Sequence, residues 1–147
     1  MKKYFIVIIF AIMSASLCSY NILKKDSKNY SKTNYEVYLF QTGVYKNYDY
    51  AQKESQQYSS AFIKNEEDLF HIYTNCLSNI DLINRLKNYY EAKKINYYLK
   101  STSVDEKTYQ SIQKYEERLS KSSDEELLKS GNDLLSIYFS YLDEFGQ

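Results

Sequence analysis

The sequence predicts an α+β protein. A small sheet domain, ordered strand, helix, strand, strand, helix, strand, is expected between an apolar leader and a purely helical C-terminal segment. Three observations predict it. Runs rich in β-branched and aromatic residues fall at 35–45, 69–74 and 95–100. Apolar residues recur at helical spacing over 82–90 and again over 109–142. The 147 residues include 18 Tyr and 7 Phe but no Pro and only three Gly, which excludes collagen-like and Pro-rich architectures and argues against wholesale disorder.

The N-terminus comes first. Lys2 and Lys3 precede an apolar run from Tyr4 to Met13, the layout of an export segment. Three outcomes are open. An uncleaved membrane helix would run from Tyr4 to Leu23, closed by Lys24 and Lys25. A cleaved signal peptide would use the small residues Ser14-Ala15-Ser16, and a lipoprotein would use Cys18. All three place the body outside the cytoplasm. Residues 1–25 thus form a signal anchor or signal peptide, and the polar, aperiodic residues 26–33 a tether.

The sheet domain is expected over 34–104. Tyr35 to Tyr45 reads as a strand in which Gly43 marks a bulge or a close backbone approach. Asn47 and Asp49 can cap a helix running to about Tyr58. Residues 61–63 form a short strand, 65–68 a turn and Leu69 to Thr74 another strand. Ser78-x-x-Asp81 has the form of a capping box, opening a helix with Leu82, Ile83, Leu86, Tyr89 and Tyr90 on its apolar side. Ile95 to Lys100 is the fourth strand. This βαββαβ order is that of a ferredoxin-like, RNP-like domain with a four-stranded antiparallel sheet, helices on one face and an open second face.

Residues 105–147 are expected to be helical. Tyr109, Ile112, Tyr115 and Leu119 mark one helix, and Ser123-x-x-Glu126 caps a second that carries Leu127, Leu128, Leu134, Leu135, Tyr138 and Leu142. The two matched stripes, joined by the polar turn at 121–123, predict a helical hairpin beside the sheet domain.

Charge and composition exclude several functions. The formal net charge is zero, but residues 26–147 carry fifteen basic and nineteen acidic groups. An acidic, exported body without an Arg-Gly-Phe-type strand is not that of a nucleic-acid binder, although RNA-recognition domains share the element order. One histidine and two cysteines exclude a zinc finger, a multi-histidine zinc site and a cysteine-ligated cluster, and no cofactor is expected. Cys76, alone in the body, reads as a small half-buried strand residue, with no intramolecular disulfide. No nucleophile elbow accompanies His71, and Glu66, Glu67 and Asp68 read as solvated turn charges, so no enzyme is expected.

The motif Phe40-Gln41-Thr42-Gly43-Val44-Tyr45 resembles the first strand of SPOR domains, the sporulation-related peptidoglycan-binding family. Asp68 to Leu77 and Lys93 to Lys100 are similar to the family's third and fourth strands, so the resemblance covers about residues 34–104 in a divergent Gram-positive form. Val44 stands where the family has a small hydroxyl residue, His71 where it has Arg, and Asn75-Cys76 where it has Gly-Pro.

The resemblance implies binding of glycan strands stripped of stem peptides, across the open sheet face, by a non-catalytic protein of the division or sporulation septum. It implies Gln41, Gly43, Val44, His71 and Tyr73 as ligand-binding residues. Strand alternation supports that set: it puts Leu69, His71 and Tyr73 on one face and Phe70 and Ile72 on the other. The implied partners are peptidoglycan, the membrane through the N-terminal segment, and an envelope or divisome protein through the C-terminal helices. The alternative is an envelope interaction module that kept the fold and lost glycan binding.

Overall fold

The computed structural model describes residues 34–145. The leader and tether expected at 1–33 lie outside the described residues. The elements run β1 (Tyr35–Tyr45), α1 (Tyr48–Ser55), β2 (Phe62–Glu66), β3 (Leu69–Leu77), α2 (Ile80–Ala92), β4 (Tyr98–Val104), α3 (Glu106–Leu119), α4 (Asp124–Lys129) and α5 (Gly131–Phe145). The protein is therefore α+β, with one four-stranded sheet in the order β2-β3-β1-β4 and every pairing antiparallel.

Local chemistry sets most boundaries. The Asn47 side chain accepts the amides of Asp49 and Tyr50 and starts α1, which stops at Ser55 rather than at Tyr58. β2 extends beyond the expected 61–63 because it meets β3 in a tight hairpin whose two loop residues, Glu67 and Asp68, both have positive φ, and β3 extends past Thr74 because Asn75, Cys76 and Leu77 pair with β1. The cap of α2 is Asn79, one residue past the expected Ser78. Lys94, also at positive φ, turns the chain after α2, so β4 begins at Tyr98 instead of Ile95.

One face of the sheet packs on the helices between its strands. Tyr90 of α2 meets Phe40 edge-on with ring centres 5.7 Å apart, and its hydroxyl donates to the Thr74 Oγ1 at 2.8 Å. Cys76 is wholly buried, which corrects the half-buried expectation, and burial pushes its thiol pKa well up.

The second face is not open, and the C-terminal helices do not form a detached hairpin. Phe139 of α5 stacks on Phe62 at 4.4 Å and tilts against Tyr73 at 5.7 Å, while Tyr138 reaches Thr102 on β4. Val37, Leu39 and Tyr73 share one core with Ile112, Leu119, Leu134, Leu135 and Phe139. At about 25 cal/mol per Å² of apolar surface, leaving these strands bare would be the costlier arrangement.

The expected second C-terminal helix is two helices. Ser123 and Glu126 form the capping box of α4. α4 then ends because its last carbonyls are taken by other parts of the chain. Asn75 Nδ2 donates to the Leu127 carbonyl at 3.0 Å, and Ser60 Oγ contacts both the Leu128 and the Thr74 carbonyls, at 2.6 and 2.9 Å. Gly131 starts α5 against β3, where a Cβ would lie 2.0 Å from the Thr74 carbonyl oxygen. α3 is tied in by Glu116, which is buried and accepts from the Ser78 amide at 2.6 Å, the Ser78 hydroxyl at 2.5 Å and the Asn79 amide at 3.0 Å. It thereby satisfies amides at the entry to α2.

Candidate functional site at the uncovered end of the sheet

Two compensating irregularities shape the centre of the sheet. Between Phe40 and Gln41 the pairing skips Thr74, and between Gln41 and Gly43 it skips Thr42. A residue three positions on would ordinarily point to the opposite face. Here the extra residue brings Gln41 and Val44 to one face, with Gln41 opposite Tyr73 and Val44 opposite His71. The buried Thr42 hydroxyl has no partner among the described residues.

Gly43 pairs with Ile72 on the other face. A Cβ there would lie 2.5 Å from Cε2 of Tyr45, so Gly43 lets that ring fold back across the strand. It backs the site and does not line it.

Gln41 and His71 are in direct contact, Oε1 to Nδ1 at 3.2 Å. An amide oxygen only accepts, so this pairing assigns the proton to Nδ1 and leaves Nε2 and the Gln41 amide nitrogen available. The His71 ring lies nearly parallel to Tyr73, with centres 6.1 Å apart.

Tyr73 itself is sealed under α5 and has no exposed surface. Its hydroxyl lies 3.1 Å from both carboxylate oxygens of Glu66 and 3.1 Å from the Lys100 ammonium, and Lys100 pairs with Glu66 at 2.8 Å. Burial, together with the Glu66 charge, pushes the Tyr73 phenol up to about 12 against the pull of Lys100. Burial also raises Glu66, but the hydrogen bond and charge of Lys100, with the bond from Tyr73, outweigh it and leave the carboxyl lowered. Lys100 is raised: burial works against its charge, and its bonds to Glu66 and Tyr73 prevail.

The structure thus gathers Gln41, Val44 and His71 at the end of the sheet face that α5 leaves uncovered. Tyr73, wholly buried beneath Phe139, lies in the covered part next to it. Lys64, opposite His71, leans toward α5, 5.4 Å from the Phe139 ring centre and 3.5 Å from Asp143.

Three residues at or beside this surface escape sequence reasoning. Tyr98, opposite Gln41, is 62% exposed. Glu66 and Lys100 lie on strands at opposite edges of the sheet and meet only across Tyr73. Their relation depends on which strand pairs with which, and no local motif encodes that.

Among the described residues no cluster of three or more His, Cys, Asp or Glu side chains could hold a metal, and no helix is long and apolar enough to cross a membrane. No family model, curated protein or solved structure matches the chain.

Proposed function

We propose that the chain is a non-catalytic envelope protein, tethered to the membrane by its N-terminal segment, that binds peptidoglycan glycan strands stripped of stem peptides at the division or sporulation septum. The fold proposed is a ferredoxin-like domain of the SPOR type, and the strand order β2-β3-β1-β4 supports it. The observation that carries the function is the contact between Gln41 and His71 on an uncovered stretch of sheet beside exposed Val44. Sugar hydroxyls and N-acetyl groups need such donors and acceptors next to apolar surface.

Co-sedimentation of the full-length protein with amidase-treated sacculi tests the proposal. Enrichment over untreated sacculi is expected; equal recovery from both would count against it. The mass of the mature protein extracted from membranes separates an intact anchor from a cleaved signal or a lipid on Cys18.

One observation favours the alternative of an interaction module without glycan binding. The middle of the sheet face, Tyr73 included, is roofed by α5. Stoichiometric recovery of one envelope protein without any sacculus binding would favour that reading.

A further inference from the structure

The large apolar side chains left exposed among the described residues are Val44, Tyr48, Tyr50, Ile80 and Tyr98. Tyr48 and Tyr50 belong to α1 and Ile80 opens α2, whereas Val44 and Tyr98 stand on the sheet. Tyr98 shares the face of Gln41, its partner across β1 and β4. Lys100, two residues further on β4, confirms the orientation because it reaches Tyr73 and Glu66 on that face.

The neighbouring Tyr97 is used for packing: its ring lies 5.6 Å from Phe40 and 5.7 Å from Tyr90, and its hydroxyl donates to Glu91. Tyr98 is 62% exposed and stacks on no ring among the described residues.

Crossing the sheet from Tyr98 leads over Gln41 on β1 to His71 on β3. Each step is one strand spacing, about 4.8 Å. The straight row from Tyr98 through Gln41 to Tyr73 and Phe62 is closed by Phe139. On the next row Val44, opposite His71, is exposed.

Resting on the glycan reading above, we infer that Tyr98 is the stacking platform for one sugar ring, and that the strand crosses from β4 to β3 so that Gln41 and His71 hold the polar groups of the next sugar while α5 walls off the inner side. An aromatic ring offers a flat apolar face to the axial C–H surface of a pyranose and a polar edge to its hydroxyls. The Gln41 amide nitrogen and His71 Nε2 supply a donor and a further polar contact one strand away. The glycan would therefore run across the strands and not along them.

The test is binding of full-length protein to amidase-treated sacculi, with Tyr98→Ala, Tyr98→Phe and, as a control on α1, Tyr50→Ala. Tyr98→Ala is expected to weaken binding about tenfold, equivalent to about 1.4 kcal/mol. Tyr98→Phe should stay within about twofold because the ring is kept, and Tyr50→Ala should not differ from wild type. Unchanged thermal melts would establish that each variant folds. Wild-type binding with no loss in Tyr98→Ala would overturn the platform and leave the glycan reading intact. Equal losses in Tyr98→Ala and Tyr98→Phe, or in Tyr50→Ala, would also overturn it. Failure of the wild type to bind would remove the glycan reading itself, and the platform with it.

Discussion

On one end of the sheet face Val37, Leu39 and Tyr73 lie beneath helices, with at most 1% of their surface exposed; on the other, within a strand or two, Val44 and Tyr98 are exposed. Both ends carry apolar and aromatic side chains on paired strands. The difference lies in where α5 is pinned. Gly131 seats its start on the Thr74 carbonyl, Phe139 lands on Phe62 and Tyr73, and Asp143 reaches Lys64. Residue type does not decide which end is core and which is surface; the placement of one helix does.

The covered end should break most readily at its central ring. Phe139→Ala removes the stacking on Phe62 and the cover on Tyr73, and should cost about 4 kcal/mol in a denaturant titration. Next is Gly131→Ala, whose Cβ meets backbone at 2.0 Å and must push α5 away from β3. The cost should be about 3 kcal/mol, despite alanine's better helix propensity, and the melting temperature should fall accordingly.

Glu116→Ala leaves the Ser78 and Asn79 donors without their acceptor and should cost about 2 kcal/mol. Hydrogen exchange at the start of α2 should report it first.

Alkali should act through two buried phenols, Tyr73 beneath α5 and Tyr90 on the opposite face of the sheet. Burial pushes the phenols of Tyr73 and Tyr90 up from 10.0 to about 12. The fold favours the neutral phenol, so this stabilisation is complete below pH 10 and is lost as pH rises toward 12. Unfolding free energies measured across that window should fall with pH, and Tyr73→Phe should flatten the slope.

The open end should show the smallest change in stability and a large change in binding. Gln41→Ala should alter the unfolding free energy by no more than about 0.5 kcal/mol. It should nevertheless abolish enrichment on treated sacculi. A large loss of stability instead would mean that Gln41 belongs to the packed region and that the division between the two ends is drawn in the wrong place.

Much of the architecture was legible in the sequence. The aromatic and β-branched runs marked β1 and β3, Asn47 and Asp49 marked the start of α1, Ser78 and Asp81 placed the start of α2 one residue early, and Ser123 with Glu126 marked α4. The fate of the C-terminal helices was misread for a physical reason. The stripe of α5 contains the adjacent pairs Leu134-Leu135 and Tyr138-Phe139, all buried. Such a stripe is wide enough to touch the sheet and α3 together, whereas a hairpin needs only a narrow seam. Ser130-Gly131 was the local sign of the break, since such pairs permit sharp bends.

At the site, Gln41, Val44 and His71 could be named from the motif and strand periodicity. The burial of Tyr73 could not, because it depends on a helix some sixty residues later in the chain. Tyr98 escaped because its meaning comes from its partner across the sheet.

The roof over Val37, Leu39 and Tyr73 also has a place in time. The strands beneath it are synthesised first, and Leu134 to Phe139, which cover them, follow about thirty residues after the last strand. Until α5 is in place the sheet has one wet apolar face, so the core of the domain cannot close. Contacts between residues this far apart in sequence slow folding and prolong exposure to aggregation. A chain cut before α5 would keep that face exposed, so the helix that roofs the sheet also decides when the core closes.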